Sequence, residues 1–497
     1  MVGLIMRNRL GVRRGILLSF ATAASIAALN IGSSQSVLAA DIPSKAPVLK
    51  APALVGTNWT GFYLTGGVGY GLWTADTQTL NPVTGAVILR PMRQGGRGWL
   101  GRVGGGYDYQ ITPNIVVGVL ADYDFSSLKG TVQDQVPLFA GDIKQEWSWA
   151  AGGRAGWLIN PSLLSYFNGG YTRTHFSGSS MTTVGGLATP FGTPSFDTNG
   201  WFTGGGVETS IAPGWFMRTE YRYSQFDRRR LTDRNLVTGG LGPGGDILFK
   251  PSVQTVTTQL VYKFNPGPAA PVYRVAAAPA PASWTGGYLN AGGGYGMWSA
   301  DTTTTLAGAG LAGNVMRVTE RQGGRGWLGR VGGGYDHQFT RNIVAGVFAD
   351  FDFSNLKGTI QDPDIGVAGD IKQKWAWAAG GRAGWLVTPA ILSYVNAGYS
   401  SAHFSSAAMI DSGFGFAPAG LRTPSFSTSG WFLGGGTEAA LTSFGSGWFW
   451  RNEYRYATYD SRALNDSNGA VSFNTINFKP TVQTVTTQLV YKFNSVR

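Results

Sequence analysis

The sequence predicts an all-β chain that folds as two tandem eight-stranded antiparallel up-and-down transmembrane β-barrels. Three observations lead to this prediction. First, the chain repeats itself. Residues 94–108 are identical to residues 322–336, and residues 253–265 are identical to residues 482–494. Second, segments of ten or more residues alternate apolar and polar side chains, as strands with one apolar face do. Third, tight turns alternate with long polar loops, which is typical of outer-membrane barrels.

The N-terminus predicts export. Four arginines within the first 14 residues precede a run of apolar and small residues, and Val37-Leu38-Ala39 offers a cleavage site. This pattern predicts a signal peptide at residues 1–39. A membrane anchor is the alternative, but Ser25 and Asn30 interrupt the apolar run. Residues 40–57 then form a Pro/Ala-rich periplasmic extension.

The composition excludes several classes of protein. The chain has 75 Gly, 17 Trp, 20 Tyr and 27 Phe, and only 13% of its residues are charged. Glycine is costly in helices, and disordered chains contain few aromatic residues. The formal net charge of +12 is spread along the chain. In an exported protein, this favours an anionic membrane surface over nucleic acid as the partner. Without cysteine, the chain has neither disulfides nor thiolate metal sites.

The first four strands of copy one follow from alternation. The strand that opens the copy begins with NWTGFY, and Trp99 and Tyr109 bracket the smaller apolar residues of the second strand. The third places Asp122 opposite a face of branched and aromatic residues, and the fourth places Arg154 opposite a tryptophan-rich face. The predicted strands are residues 59–74, 97–111, 114–127 and 143–159.

The last four strands show the same pattern. The seventh alternates Trp215 and Met217 with Arg218, and the eighth ends on LVYKF. The predicted strands are residues 163–176, 200–211, 214–227 and 252–264. Tight turns containing proline are expected at residues 112–114, 160–162 and 212–214, because proline cannot sit inside a ladder. Long loops are expected at residues 75–96, 128–142, 177–199 and 228–251.

The repeat allows two closures. Each copy closes on itself as a barrel, at residues 58–265 and 284–494, or all sixteen strands form one wide barrel. We favour two barrels, because a Pro/Ala-rich periplasmic linker at residues 266–283 is longer than the tight turn that a single barrel needs. Sixteen strands would leave an aqueous channel, whereas eight leave a lumen that side chains fill.

At this point the motifs resemble a known family. The opening NWTGFY at residues 58–63, EYRY at 220–223 and 453–456, and the closing LVYKF resemble the alphaproteobacterial porin-like outer-membrane β-barrel proteins, some of which are called outer-membrane immunogenic proteins. The resemblance occurs once per copy and implies an outer-membrane location in a Gram-negative cell. It also implies that the barrel-assembly machinery reads the closing aromatics. These are Tyr262, Phe264, Tyr491 and Phe493.

The polar face of each predicted barrel carries charges of both signs, which we expect to pair across a narrow lumen. In copy one these are Arg102, Asp122, Glu146, Arg154, Glu208, Arg218, Glu220 and Arg222. In copy two they are Arg330, Asp350, Lys374, Arg382, Glu438, Arg451, Glu453 and Arg455. The bases outnumber the acids in copy two, so an anion-selective lining is the alternative to a polar plug.

Other candidate sites carry weaker signals. His175 and His403 occupy matching positions near the outer end of the fifth strand, where they could contact haem; an interfacial role is the simpler interpretation. Arg228, Arg229 and Arg230 open a long loop and could contact the phosphates of lipopolysaccharide. No zinc-ligand spacing, phosphate loop or hydrolase triad is present, so we predict no metal, no cofactor and no enzymatic activity.

The expected function is that of an integral outer-membrane protein with a structural and surface role in the cell envelope. Its expected partners are outer-membrane lipid, lipopolysaccharide and the barrel-assembly machinery. Two alternatives stay open: a porin-type diffusion channel for small solutes, if sixteen strands make one barrel, and a receptor for haem or another surface ligand, if the extracellular loops bind it.

Overall fold

The computed structural model describes most of the two repeats. It covers residues 58–88, 91–134, 139–183, 186–264, 283–306, 320–411, 418–441, 446–469 and 472–493. The predicted signal peptide, the extension at residues 40–57 and nearly all of the predicted linker lie outside the described residues. Within the described part, no helix is long and apolar enough to cross a membrane.

Copy one contains eight long strands and three short ones. They are β1 (Gly61–Leu80), β2 (Met92–Gln110), β3 (Ile115–Asp134), β4 (Phe139–Asn160), β5 (Leu163–Phe176), β6 (Ser179–Thr183), β7 (Ala188–Thr193), β8 (Phe196–Ala212), β9 (Trp215–Phe226), β10 (Arg229–Asn235) and β11 (Leu241–Lys263).

Copy two repeats this order. Its strands are β12 (Gly286–Leu306), β13 (Glu320–Gln338), β14 (Ile343–Asp362), β15 (Val367–Thr388), β16 (Ile391–Phe404), β17 (Ala407–Asp411), β18 (Pro418–Thr423), β19 (Phe426–Ala440), β20 (Trp448–Tyr459), β21 (Arg462–Ser467) and β22 (Ser472–Lys492).

Each copy closes on itself as an eight-stranded barrel. In copy one the order is β1-β2-β3-β4-β5-β8-β9-β11, and β11 pairs antiparallel with β1, so that Tyr63 lies between Gly106 and Lys263. In copy two, β22 closes on β12 in the same way, with Tyr288 opposite Lys492. The prediction of two barrels is therefore confirmed, and the sixteen-stranded alternative is wrong.

The short turns and both ends of each barrel lie on one side. Gly61, at the start of β1, is opposite Asp108, which lies close to the turn between β2 and β3. The turn between β8 and β9 contains Gly214, whose φ of 77° lies in the left-handed region that glycine adopts readily. We call this side the turn end of the barrel and the opposite side the loop end.

The long loops that the sequence predicts are shorter than expected. Strand β1 continues to Leu80, and β11 begins at Leu241, because their loop-end halves enclose an apolar cluster inside the barrel. Trp73, Ile143 and Phe249 in this cluster are fully buried. The short strands β6, β7 and β10 extend the sheet further. The barrel wall thus continues as an ordered extension beyond its membrane-spanning part.

The outward face of the barrel suits a lipid environment. Phe62, Val119 and Phe167 are exposed by 66%, 61% and 79%, which a soluble barrel would avoid. Aromatic residues stand at both ends of this face, as Phe62 and Tyr70 do on β1. They mark the membrane-spanning part, and the loop-end extension lies outside it.

The two barrels stand side by side. Tyr70 packs against Tyr456 with ring centroids 5.6 Å apart, and the corresponding pair with the copies exchanged, Tyr295 and Tyr223, is 5.7 Å apart. At the loop end, Gln94 of β2 pairs with the equivalent Gln322 of β13. Equivalent contacts with the copies exchanged indicate an approximate twofold axis between the barrels.

Candidate functional site: the charged lumen

The lumen of copy one contains two layers of ion pairs. In the layer nearer the loop end, Arg102 donates to both carboxylate oxygens of Asp124 at 2.6 and 2.8 Å, and to Glu220 at 2.8 Å. Arg222 donates to both oxygens of Asp122 at 2.8 and 2.7 Å. Planar guanidinium groups suit such two-point contacts, which fix the side chains in place.

The second layer lies nearer the turn end. Glu208 accepts from Arg154 at 2.8 Å and from Arg218 at 2.9 and 2.7 Å. Lys263 lies 3.5 Å from Glu208 and also contacts Asp108, which in turn accepts from Arg154 at 2.7 Å. One glutamate therefore has three cations around it, and all five side chains are buried.

Copy two repeats both layers. Arg330 donates hydrogen bonds to Asp352 and Glu453, and Arg455 donates to Asp350. In its second layer, Glu438 accepts from Arg382 at 2.9 Å and from Arg451 at 2.7 Å. The other members of that layer are Asp336 and Lys492.

The two layers are neutral in each copy. Copy one pairs five bases with five acids: Arg102, Arg154, Arg218, Arg222 and Lys263 with Asp108, Asp122, Asp124, Glu208 and Glu220. Copy two does the same at the equivalent positions. The expected excess of bases in copy two, and with it the anion-selective lining, finds no support in these layers.

Two residues predicted for the lumen lie on the outer surface. Glu146 is half-exposed, lies 3.9 Å from His175 and does not join the layers, and its counterpart Lys374 is exposed. The reason is a shift of register at Gln145/Trp147, repeated at Gln373/Trp375. One additional residue reverses which side chains face inward, so strict alternation fails at this point.

Three lumen residues per copy were missing from the predicted set: Asp108, Asp124 and Lys263, with Asp336, Asp352 and Lys492 in copy two. Alternation could have found them. Lys263 stands between the outward-facing Tyr262 and Phe264, and Asp124 is two residues from Asp122 on the same face. Asp108 lies an even number of positions from Arg102 on β2.

Apolar clusters seal the lumen at both ends. Trp59 lies at the turn end, packs against Phe216 and donates through Nε1 to the carbonyl oxygen of Pro161 at 3.0 Å. Trp73 lies beyond the charged layers at the loop end and donates to the carbonyl of Leu128 at 3.0 Å. The described residues leave cavities of only about 10 and 20 Å³ beside the layers of copies one and two. In the described part of each barrel, the charged layers and the apolar clusters therefore fill the lumen with side chains.

The glycine runs inside the strands make room for buried tyrosines. A side chain at Gly106 would collide with the hydroxyl end of Tyr63, whose ring lies 4.9 Å from the guanidinium carbon of Arg154. Gly206 makes the same room for Tyr166, which donates to Glu220 at 2.9 Å. The glycines thus leave the space in which these tyrosines contact the side chains of the charged layers.

Comparison with known proteins agrees with this geometry. The family model described as "outer membrane protein beta-barrel domain" matches residues 46–264 and again residues 269–493. The chain belongs to this family and contains its domain twice.

The relatives cover about half of this chain or less. The 31 kDa outer-membrane immunogenic protein of Brucella melitensis biotype 1 is 28% identical over 252 residues, which cover 48% of this chain and 98% of that protein. The 25 kDa outer-membrane immunogenic protein of Brucella canis is 27% identical, over 39% of this chain and 80% of that protein. Among solved structures, the outer membrane protein OprG of Pseudomonas aeruginosa is 13% identical and covers 42% of this chain and 98% of its own, with a TM-score of 0.26.

The two histidines lie in separate outer membrane protein β-barrel domains, each against a tryptophan. His175 stacks on Trp147 at 5.4 Å, and its Nδ1 lies 2.6 Å from a carboxylate oxygen of Asp197. His403 stacks on Trp375 at 5.1 Å, with Nδ1 3.0 Å from a serine hydroxyl. No group of three or more metal-binding side chains occurs among the described residues.

The remaining candidates lie at opposite ends of the barrels. Arg228 and Arg229 are exposed at the loop end of the first domain, and Arg230 forms an ion pair with Asp246. The closing aromatics lie on the outward face at the turn end. Their rings pack in pairs, Tyr262 with Phe264 at 5.1 Å and Tyr491 with Phe493 at 5.5 Å.

Proposed function

We propose that the chain is a structural surface protein of the outer membrane whose two barrels do not conduct solutes. The observation that carries this proposal is the filling of both lumens by neutral layers of ion pairs between apolar seals. Desolvated charges that are fully paired are unavailable to a passing ion. What differs between the copies, and what faces the outside, is the loop end.

The geometry favours this role over a diffusion channel. A channel needs a wide barrel, and eight strands enclose only enough space for side chains. The haem alternative receives no specific support either, since the two histidines lie in separate barrels and each ring stacks on a tryptophan, His175 on Trp147 and His403 on Trp375.

We infer that the turn end faces the periplasm. An even number of strands brings both ends of each barrel to the same side, where the short turns lie, as in bacterial outer-membrane barrels. A cleaved signal peptide at residues 1–39, an extension at residues 40–57 and a linker at residues 266–283 fit this topology. The barrels themselves would then span residues 58–265 and 284–494.

The orientation also suggests how the barrels are assembled. The closing aromatics of each barrel would be accessible to the barrel-assembly machinery from the periplasmic side. These are Tyr262 and Phe264 in copy one and Tyr491 and Phe493 in copy two. The exposed Arg228 and Arg229 would lie on the outer side, within reach of lipopolysaccharide phosphates.

The test compares cells that lack the protein with cells in which it is restored. A structural role predicts greater leakage of periplasmic enzymes and greater sensitivity to SDS with EDTA in the deletion strain. Uptake of small hydrophilic solutes should stay the same. Solute uptake that falls on deletion, without any loss of envelope integrity, would contradict the proposal and favour a channel.

A further inference from the structure

The contact between the barrels is built around two aspartates at the loop end. Asp76 of copy one accepts from Arg93 of its own copy at 2.6 Å and from Arg325 of copy two at 2.6 Å. With the copies exchanged, Asp301 accepts from Arg321 at 2.9 Å and from Arg97 at 2.6 Å. Each carboxylate thus joins the two barrels. Four guanidinium groups against two carboxylates leave this rim with a net charge of +2.

Backbone contacts strengthen the same rim. The backbone amide of Arg93 donates to the Thr359 hydroxyl at 2.9 Å, and that of Arg321 donates to the Thr131 hydroxyl at 3.0 Å. Although burial opposes ionisation, Arg325 and Arg93 hold the pKa of Asp76 below its usual value. The rim therefore stays charged under physiological conditions and holds the barrels at a fixed spacing.

An apolar crevice of about 1450 Å³ lies between the barrels on the membrane side of this rim. Equivalent aromatic residues of both copies line it. They are Trp99, Trp201 and Tyr221 from copy one and Trp327, Trp431 and Tyr454 from copy two.

Water is a poor occupant of this space. At ~30 Å³ per molecule, a volume of this size would hold on the order of tens of waters against apolar walls. Leaving apolar surface wet costs about 25 cal/mol per Å². The walls belong to the lipid-facing sides of the two barrels, so acyl chains are the occupant that matches them chemically.

The charge at the outer end of the crevice indicates which lipid. Lys479 lines the crevice, and its Cα lies opposite that of Asp301, at the height of the positively charged rim. In the proposed topology, this end faces the outer leaflet. Arginine and lysine together suit phosphate groups.

We propose that the crevice is a lipid-binding site that holds acyl chains of lipid A, the membrane anchor of lipopolysaccharide, with its phosphates at the rim. The site exists only because two barrels lie in one chain, since each barrel contributes one wall. The duplication would thus create a binding site that a single barrel lacks. This inference goes beyond the structural role, and it rests on the proposed orientation, in which the loop end faces outward.

The test measures the lipid that stays with the full-length chain after purification from outer membranes in mild detergent. Mass spectrometry should find stoichiometric lipid A. The double variant Thr219→Trp with Asn452→Trp fills the crevice from both walls and should retain several-fold less. The matched control, Val119→Trp with Val347→Trp, changes exposed outward residues that do not line the crevice and should retain lipid A fully.

A rim variant makes the test independent of crevice packing. Lys479 is exposed, so Lys479→Gln should fold normally and yet retain less lipid A. Equal lipid A in the crevice variant and its control would overturn the proposal. Retention of phospholipid in place of lipid A would also overturn it, because the rim would then not select the outer-leaflet lipid.

Discussion

A single carboxylate governs the second charged layer of each barrel. Glu208 lies between Arg154, Arg218 and Lys263, and all of them are buried. Ion pairs in such a place add little stability over apolar packing, but removing one partner leaves uncompensated charge. The inner charges therefore specify a single arrangement of the lumen, and each becomes costly to remove alone.

The substitution Glu208→Gln tests this point. It leaves three buried cations with only Asp108 to compensate them, so the free energy of unfolding should fall by about 3–5 kcal/mol. Glu146→Gln is the control, because that side chain is half-exposed and should change stability by less than about 0.5 kcal/mol. Urea unfolding in lipid vesicles, followed by tryptophan fluorescence, measures both. Equal losses of stability in the two variants would show that Glu208 is not needed to compensate the buried cations of this layer.

Most of the lumen could be predicted from alternation alone. Arg102, Asp122 and Arg154 follow directly from the period of two. Glu146 does not, because a bulge adds one residue to the strand and reverses the facing of its neighbours. Sequence gives no local signal for that bulge, and so the predicted charge balance of copy two was wrong as well.

At the scale of the strand, the loop-end extension is the main departure from expectation. Its residues are polar enough to be predicted as loops, yet one face of each strand packs into the apolar cluster around Trp73. That ring lies directly over Gly96 and Gly130, where any side chain would collide with it. Copy two places Trp298 over Gly324 and Gly358 in the same way.

The variant Gly96→Ala tests the packing of this extension. Its new methyl group overlaps the Trp73 ring, and overpacking of this kind costs about 1–3 kcal/mol. Gly66→Ala lies on the same barrel, with open space around the added methyl group, and should be tolerated. Samples of both variants are heated to a series of temperatures and run on SDS gels, where the folded and unfolded barrels migrate differently. Equal unfolding temperatures would mean that Trp73 is not tightly held.

The extension of copy two contains a carboxyl pair that should make it sensitive to pH. Burial, and then the neighbouring Asp362, raise the pKa of Asp466 to about 7, from an ordinary value of 3.8. The folded state thus binds this proton more tightly than the unfolded state does. Its contribution is fully present below about pH 4 and is lost as the pH rises to about 7.

Hydrogen exchange of residues 462–467 and 472–478 should therefore be faster at pH 8 than at pH 5, after correction for the intrinsic rate. Asp466→Asn removes one carboxyl of the pair, so the corrected exchange of this variant should depend less on pH than that of the wild-type chain. Asp362, whose pKa burial also raises, still titrates in the variant. If the wild-type chain exchanged equally slowly at both pH values, the carboxyl pair would not make the stability of this extension depend on pH.

At the scale of the whole molecule, the repeat predicted two equivalent barrels, and both the strand pairing and the family match agree. The contact between them could not be predicted. Its residues, such as Asp76 and Arg93, fall in segments whose pattern indicates loops. Contacts between two copies leave no periodic signal in either one. The interface becomes visible only when both copies are placed together.

Loss of the rim should let the barrels separate. Asp76→Asn combined with Asp301→Asn removes both carboxylates that join the copies, leaving four arginines without their acidic partners. Spin labels on cysteines introduced at Thr112 and Thr340 would report the distance between the barrels, since the natural chain has no cysteine. A broader distribution of distances is expected. An unchanged narrow distribution would mean that other contacts hold the barrels together.

The conductance of the refolded full-length chain in a planar bilayer tests the central claim most directly. Two sealed lumens predict no current beyond brief, small fluctuations, at either polarity. Large and stable current steps of porin size would contradict the account, because they require an open water path that the neutral layers and their apolar seals do not leave.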